Sequence, residues 1–139
     1  MKIKLFFFFL VFFFFISQNT RSSIKDGIIA KVGIEIVTNY DIINEINTIL
    51  ALSNKPADES DFKKLQAIAF SSIKKTIIKK IEIEKYKISN YSKEDFSNYL
   101  FGLEKNLGLQ NITLEEHFRK YGANFDVYKE QVIINLKWN

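Results

Sequence analysis

The sequence predicts a mainly α-helical fold, a five-helix orthogonal bundle preceded by a short β-hairpin. Apolar residues recur at the spacing of amphipathic helices in five segments, and capping boxes of the form Ser/Thr-x-x-Asp/Glu precede three of those segments. Two short strand-like runs flank Gly33. No internal repeat or linker divides the chain after its apolar beginning, so residues 23–139 are predicted to form a single domain.

The first 22 residues are predicted to be a secretory signal peptide. Two lysines stand among the first four residues, an unbroken apolar run, LFFFFLVFFFFI, occupies residues 5–16, and the polar segment SQNTRSS follows. This run is short for a transmembrane helix, which needs roughly 20 apolar residues. We expect export, with cleavage between Ser22 and Ser23, where Thr20 and Ser22 satisfy the small-residue preference; Ser17 is another candidate for the cleavage site. An uncleaved membrane anchor is the alternative.

The composition argues against several classes of function. Residues 1–23 hold three of the 20 basic residues and no acidic one, which leaves 17 basic against 16 acidic residues and no basic footprint for nucleic acid. The absence of cysteine excludes thiol catalysis. The single histidine, His117, has no second ligand or nucleophile at useful spacing, and we expect it to be an exposed helix residue. No catalytic, cofactor-binding or metal-binding residue is predicted.

The five helices are placed by their caps and by apolar spacing. The first follows the capping box of Thr38 and Asp41 and ends near Ser53, before a polar segment that contains the only proline. The second covers residues 61–86 and carries apolar residues outside its main stripe, so we expect it to be the central helix of the bundle. The other three begin after polar caps, and glycines close two of them: Ser92 to Gly108, Thr113 to Gly122, and Asn124 to residue 139.

The last helix carries apolar residues on two opposite sides. A helix of this kind needs cover on both sides. Ordinary burial in a small bundle would supply it; alternatively, a partner or a C-terminal segment missing from this chain covers the second side. The first stripe consists of Phe125, Tyr128, Val132 and Leu136, and the second of Val127, Ile134 and Trp138.

The order of these elements resembles the N-terminal domain of the SurA-type periplasmic chaperones. The segment IIAKVGIEIVTNYDI is similar to the strand pair of that family, which has the form V-A-x-V-N-x-x-x-I-T-x-S-D and leads into the first helix. The segment NITLEEHFRKYGANFDVYKEQVI resembles the family pattern M-T-x-x-x-x-x-L-x-x-x-G-x-x-x-x-x-Y-R-x-x-I. The family's asparagine after the first strand is missing here, since Gly33 follows Val32 directly. The positions that match in the second segment are Thr113, Leu114, Gly122, Tyr128 and Ile133.

The resemblance implies a periplasmic chaperone domain that binds unfolded outer-membrane protein chains, with a preference for aromatic-rich segments, without ATP or a cofactor. In the family, peptidyl-prolyl isomerase activity belongs to parvulin domains, and no segment of these 139 residues corresponds to one. We therefore expect no catalysis by this chain. Four residues outside the main helical stripes are the expected client contacts: Phe101, Val127, Ile134 and Trp138.

Two other interpretations stay open at this point. The chain is the N-terminal part of a longer parvulin-type isomerase, in which case its own residues accelerate no proline isomerisation. Alternatively, it is a small exported adaptor bundle whose last helix docks on one folded partner, in which case it ignores generic unfolded chains.

Overall fold

The structure is a computed structural model that describes residues 27–56 and 62–139. The predicted signal peptide lies outside these residues. Two strands precede five helices, which confirms the predicted fold class. The strands are β1 (Ile28–Val32) and β2 (Glu35–Thr38), and the helices are α1 (Asn39–Ser53), α2 (Phe62–Lys85), α3 (Lys93–Asn106), α4 (Leu114–Lys120) and α5 (Phe125–Trp138).

The two strands form an antiparallel hairpin with a two-residue turn. Val32 pairs with Glu35, and the register shifts once further along the hairpin, between Ile28 and Ala30. Gly33 opens the turn with a φ of 63°, a conformation that glycine adopts without steric cost. The hairpin leads straight into α1, because Thr38 both ends β2 and caps the helix.

The predicted caps form at the beginnings of the helices. The Thr38 hydroxyl accepts a hydrogen bond from the backbone N–H of Asp41, and the Asp41 carboxylate accepts one from the Thr38 N–H at 2.7 Å. Thr113 and Glu116 make the same reciprocal pair ahead of α4. Each arrangement satisfies amide groups that a helix N-terminus leaves without an intrahelical partner. The third predicted box, at Ser92 and Asp95, forms only in part: Ser92 accepts a hydrogen bond from the Asp95 N–H as a simple cap of α3, without the reciprocal bond. Asn124 is likewise a simple cap of α5.

The core consists of two apolar clusters, and α1 contributes to both. Seven residues of α1 are buried, against two of α2. The helix predicted to be central, α2, packs against α1, α5 and β1. It nevertheless leaves many of its apolar side chains half-exposed, so α1 is the more deeply buried helix. The first cluster joins Ala51 to Leu114, Phe118, Ala123, Tyr128 and Val132; the second joins Val37, Ile42, Ile46, Leu50 and Ala69.

Glycines follow the ends of α3 and α4, as predicted. Gly108 and Gly122 both have φ near 70°, just beyond the last residues of these helices.

None of the helices in residues 27–56 and 62–139 is long and apolar enough to cross a membrane.

Candidate binding site

An open cleft of about 240 Å³ lies between β2, α1, α2 and α5. It is bounded by elements that are distant in sequence, so it exists only in the folded chain. We call it the acidic cleft, because carboxylates outnumber cations along it. Its lining residues are Glu35, Ile36, Tyr40, Asp41, Asn44, Glu45, Ile73, Thr76, Ile77, Lys80, Val127, Glu130, Gln131 and Ile134.

Aliphatic and aromatic side chains from four elements form the apolar part of this lining. Ile36 of β2 and Tyr40 of α1 are 51% and 53% exposed, which puts them among the more accessible large apolar residues of the described chain. Ile77 lies on α2, while Val127 and Ile134 lie on α5. The apolar side chains here remain accessible to a second molecule.

A buried carboxylate also lines the acidic cleft. Glu45 is only 4% exposed, and its Oε2 accepts a hydrogen bond of 2.7 Å from the side-chain amide of Gln131. Of the other acids, Asp41 is engaged in the α1 cap, and Glu35 pairs with Lys80 at 2.8 Å. The hydrogen bond to Glu35 is the main reason why the pKa of Lys80 is raised. Glu45 thus has an amide as its partner, whereas Lys80, the one cation among the described residues that line the cleft, is paired with Glu35.

A second, wider cleft of about 670 Å³ continues between α2 and α5. It shares Lys80, Glu130 and Ile134 with the acidic cleft, so the two are parts of one groove. Lysines predominate in this second part, which we call the basic cleft. Its lining residues are Lys80, Ile83, Glu84, Lys87, Ile88, Ser89, Glu130, Ile133, Ile134 and Lys137.

The structure brings together two of the four predicted client contacts. Val127 and Ile134 line the acidic cleft, and Ile134 also lines the basic one. Trp138 is 47% exposed, with the Lys79 ammonium 6.0 Å from its ring centroid. Phe101 is 57% exposed on α3 beneath the Lys105 ammonium, and it lines neither cleft.

The second apolar stripe of the last helix has partial cover from within the bundle. Helix α2 packs along α5, and the Lys79 ammonium donates a hydrogen bond to the Asn135 side-chain oxygen at 2.6 Å. Val127 and Ile134 are half-buried as a result, while Trp138 stays half-exposed. Packing within the bundle therefore covers much of the second apolar stripe of α5. The part that α2 leaves uncovered lines the groove.

Sequence reasoning missed several residues of this site. The sequence pattern places Ile36 in a strand and Tyr40 inside a capping box, and it does not single out Glu45. The apolar residues Ile34 and Ile36 on both sides of a charged Glu35 were a signal, because a two-stranded hairpin has room to bury only some of its apolar side chains. The sequence offered no comparable signal for Glu45.

His117 is buried, so the prediction of an exposed histidine is wrong. It is 3% exposed, its Nε2 lies 2.9 Å from the backbone oxygen of Ala51, and its ring packs against Phe118 and Tyr121. The two glutamates that precede it in sequence suggested a solvent-exposed position. His117 instead faces α1, whereas Glu115 and Glu116 face solvent. The ring has a structural contact and lines neither cleft.

Within residues 27–56 and 62–139, no group of three His, Cys, Asp or Glu side chains could hold a metal ion. A scan against protein-family models found no match, and neither the search of curated proteins nor the search of solved structures found one.

Proposed function

We propose that this chain is an exported chaperone domain that binds unfolded protein segments in the groove between α2 and α5, without ATP. Its clients are unfolded outer-membrane protein chains in the periplasm, and it prefers aromatic-rich segments. Export rests on the signal-like beginning of the sequence, and the client class rests on the resemblance to SurA-type chaperones. The groove is our choice of binding surface.

The observation that carries this proposal is the accessible apolar lining of the acidic cleft. Ile36 and Tyr40 are more than half exposed beside the half-buried Val127 and Ile134. Accessible apolar surface that is rimmed by polar residues is typical of sites that bind other proteins. A surface built from several elements can also adjust to segments of different sequence, as a promiscuous binder requires.

The size of the acidic cleft favours a peptide over a cofactor. Pockets for small molecules typically enclose about 300–1,000 Å³ and bury most of the ligand. The acidic cleft, at about 240 Å³, is smaller and open, and it continues into the basic cleft. This shape suits a few side chains of a segment that lies along the groove and extends beyond it.

The test measures the aggregation of an unfolded β-barrel protein after dilution from urea, with and without residues 23–139 at modest molar excess. We expect this domain to slow aggregation. Replacing Ile36 with threonine should weaken the effect, because the substitution removes accessible apolar surface from the cleft while keeping a β-branched residue in the strand.

Ile28→Thr is the matched control, since Ile28 is a strand isoleucine that is 69% exposed and lies outside both clefts. We expect it to behave like the wild type. If the folded domain did not slow aggregation at all, the chaperone proposal would be wrong. If both isoleucine variants lost equal activity, client binding would not be located in the groove.

A further inference from the structure

We propose that the groove selects segments that carry a lysine or arginine among aliphatic or aromatic residues, and that the cationic group binds against Glu45. This inference rests on the proposed function, because it specifies which unfolded segments the groove prefers. It also fixes the direction of the bound segment along the groove.

The Glu45 side chain is buried with a neutral partner. The residue is 4% exposed, Gln131 donates a hydrogen bond to its carboxylate, and no ion pair joins Glu45 to a cation among the described residues. A buried carboxylate that lacks a cation loses much of its solvation, and one neutral amide replaces only part of it. A cation that entered the cleft would make a charge-assisted hydrogen bond with this carboxylate, which is stronger than a bond between neutral groups.

The acidic cleft has an unbalanced charge. Among the described residues, four carboxylates line it, those of Glu35, Asp41, Glu45 and Glu130, against the ammonium of Lys80. Lys80 is already paired with Glu35, and Asp41 caps α1. The cleft therefore has an excess of negative charge, which is complementary to a basic side chain and repels an acidic one.

Aliphatic side chains line the acidic cleft beside these carboxylates. Lysine and arginine carry long apolar stems, which pack on apolar surface while the charged head reaches a polar partner. Ile73, Ile77 and Val127 line the same cleft as Glu45 and offer such a surface. The aliphatic lining and the carboxylate together fit a basic side chain better than either a purely apolar or an acidic one.

The opposite charge at the other end of the groove gives the segment a direction. Away from the shared Lys80 and Glu130, the basic cleft is lined by Lys87 and Lys137 against the carboxylate of Glu84, counted among the described residues. A bound segment is therefore favoured with its basic residue in the acidic cleft and an acidic or neutral residue in the basic cleft. The reverse placement would oppose like charges at both ends.

The test measures the binding of a fluorescent peptide to residues 23–139 by anisotropy. One peptide is apolar with a single central lysine, and two others carry glutamine or glutamate at that position. We expect the lysine peptide to bind about tenfold more tightly than the glutamine peptide, and the glutamate peptide to bind most weakly. The preference for lysine should decrease as salt is added, since screening weakens attraction between charges.

Two substitutions should change this preference in opposite directions. Glu45→Gln should abolish the advantage of the lysine peptide and leave the glutamine peptide unchanged. Lys80→Met should increase the advantage, because it removes the one cation of the acidic cleft. Glu115→Gln is the matched control, since Glu115 is exposed on α4 outside both clefts and its loss should change neither affinity.

The outcomes separate this inference from the proposed function. If the lysine and glutamine peptides bind equally and Glu45→Gln has no effect, the selection of basic residues is wrong and the chaperone proposal stands. If no peptide binds and the domain also fails to slow aggregation, the proposed function itself is wrong. Circular dichroism and thermal unfolding establish that each variant is folded; if Glu45→Gln is not, Glu45→Asp replaces it and should reduce the lysine preference.

Discussion

The Nε2 atom of His117 lies 2.9 Å from the backbone oxygen of Ala51, and this contact joins α4 to the C-terminal end of α1. A carbonyl oxygen only accepts hydrogen bonds, so Nε2 carries the proton and donates. The same oxygen also accepts from the backbone N–H of Asn54, at 3.2 Å. The last carbonyls of a helix lack the usual donor from the next turn; at Ala51 the Asn54 N–H supplies one hydrogen bond and the imidazole a second.

Replacing His117 with leucine should lower the free energy of unfolding by about 0.5–1.5 kcal/mol, the usual net contribution of one hydrogen bond. The leucine fills a similar volume but removes one of the two donors to the Ala51 oxygen, while the Asn54 N–H remains. Glutamine at the same position keeps an N–H donor and should lose less. Urea unfolding at neutral pH measures both variants. Equal losses for leucine and glutamine would mean that packing matters at this position and that the hydrogen bond does not.

Local signals in the sequence predicted most of the fold. A capping box lies within four residues, so Thr38 with Asp41 and Thr113 with Glu116 indicate helix starts without knowledge of the tertiary structure. Glycines at helix ends and apolar spacing are equally local. Five helices and a hairpin follow from such signals, and the structure contains them.

The site could not be predicted from local signals, because it depends on which faces of the helices and the hairpin pack against each other. Glu45 is buried because the elements packed around α1 enclose it, and its sequence neighbours give no sign of that. The depth at which each helix is buried is non-local for the same reason. Apolar content favoured α2, but α1 is the more buried helix, because it lies between the hairpin and α2 on one side and α4 on the other. Helical periodicity singled out Val127 and Ile134, which line the groove; that they bind clients stays a prediction.

Replacing Gly33 with alanine should destabilise the domain by roughly 1–2 kcal/mol. Its φ of 63° is unfavourable for a residue with a Cβ atom, and a Cβ at this position would lie 2.8 Å from the Cδ1 of Ile81. Gly102→Ala is the matched control. It lies within α3 with open space around it, so alanine should stabilise that helix by about 0.5–1 kcal/mol. Thermal unfolding should move in opposite directions for the two variants, and a shift in the same direction would contradict the account of the turn.

Replacing Thr48 with valine should raise the free energy of unfolding by about 1 kcal/mol. Thr48 is 2% exposed, and its hydroxyl has no hydrogen-bond partner among the residues that the structure describes. Valine has nearly the same shape and removes the buried polar atom, whose desolvation costs about 1–3 kcal/mol. Thr48→Ser keeps the hydroxyl and loses a methyl group, so it should destabilise by about 1 kcal/mol. If urea unfolding showed that valine destabilises the domain, the hydroxyl would have a partner.

Stability should fall above pH 10 because of Tyr128. Burial raises the pKa of this phenol above its ordinary value of 10.0, and the hydrogen bond of 2.8 Å between its oxygen and that of Tyr99 adds to the effect. Above pH 10 the unfolded chain loses the Tyr128 proton while the folded chain keeps it, so the stabilisation present below pH 10 is lost as pH rises. Between pH 9 and pH 11, this group should lower the free energy of unfolding by about 1 kcal/mol.

Urea unfolding at pH 9 and pH 11 should show a smaller loss of unfolding free energy in Tyr128→Phe than in the wild type. Tyr86→Phe, at an exposed tyrosine, should leave the loss unchanged. Equal losses in all three proteins would mean that the Tyr128 phenol titrates normally in the folded state.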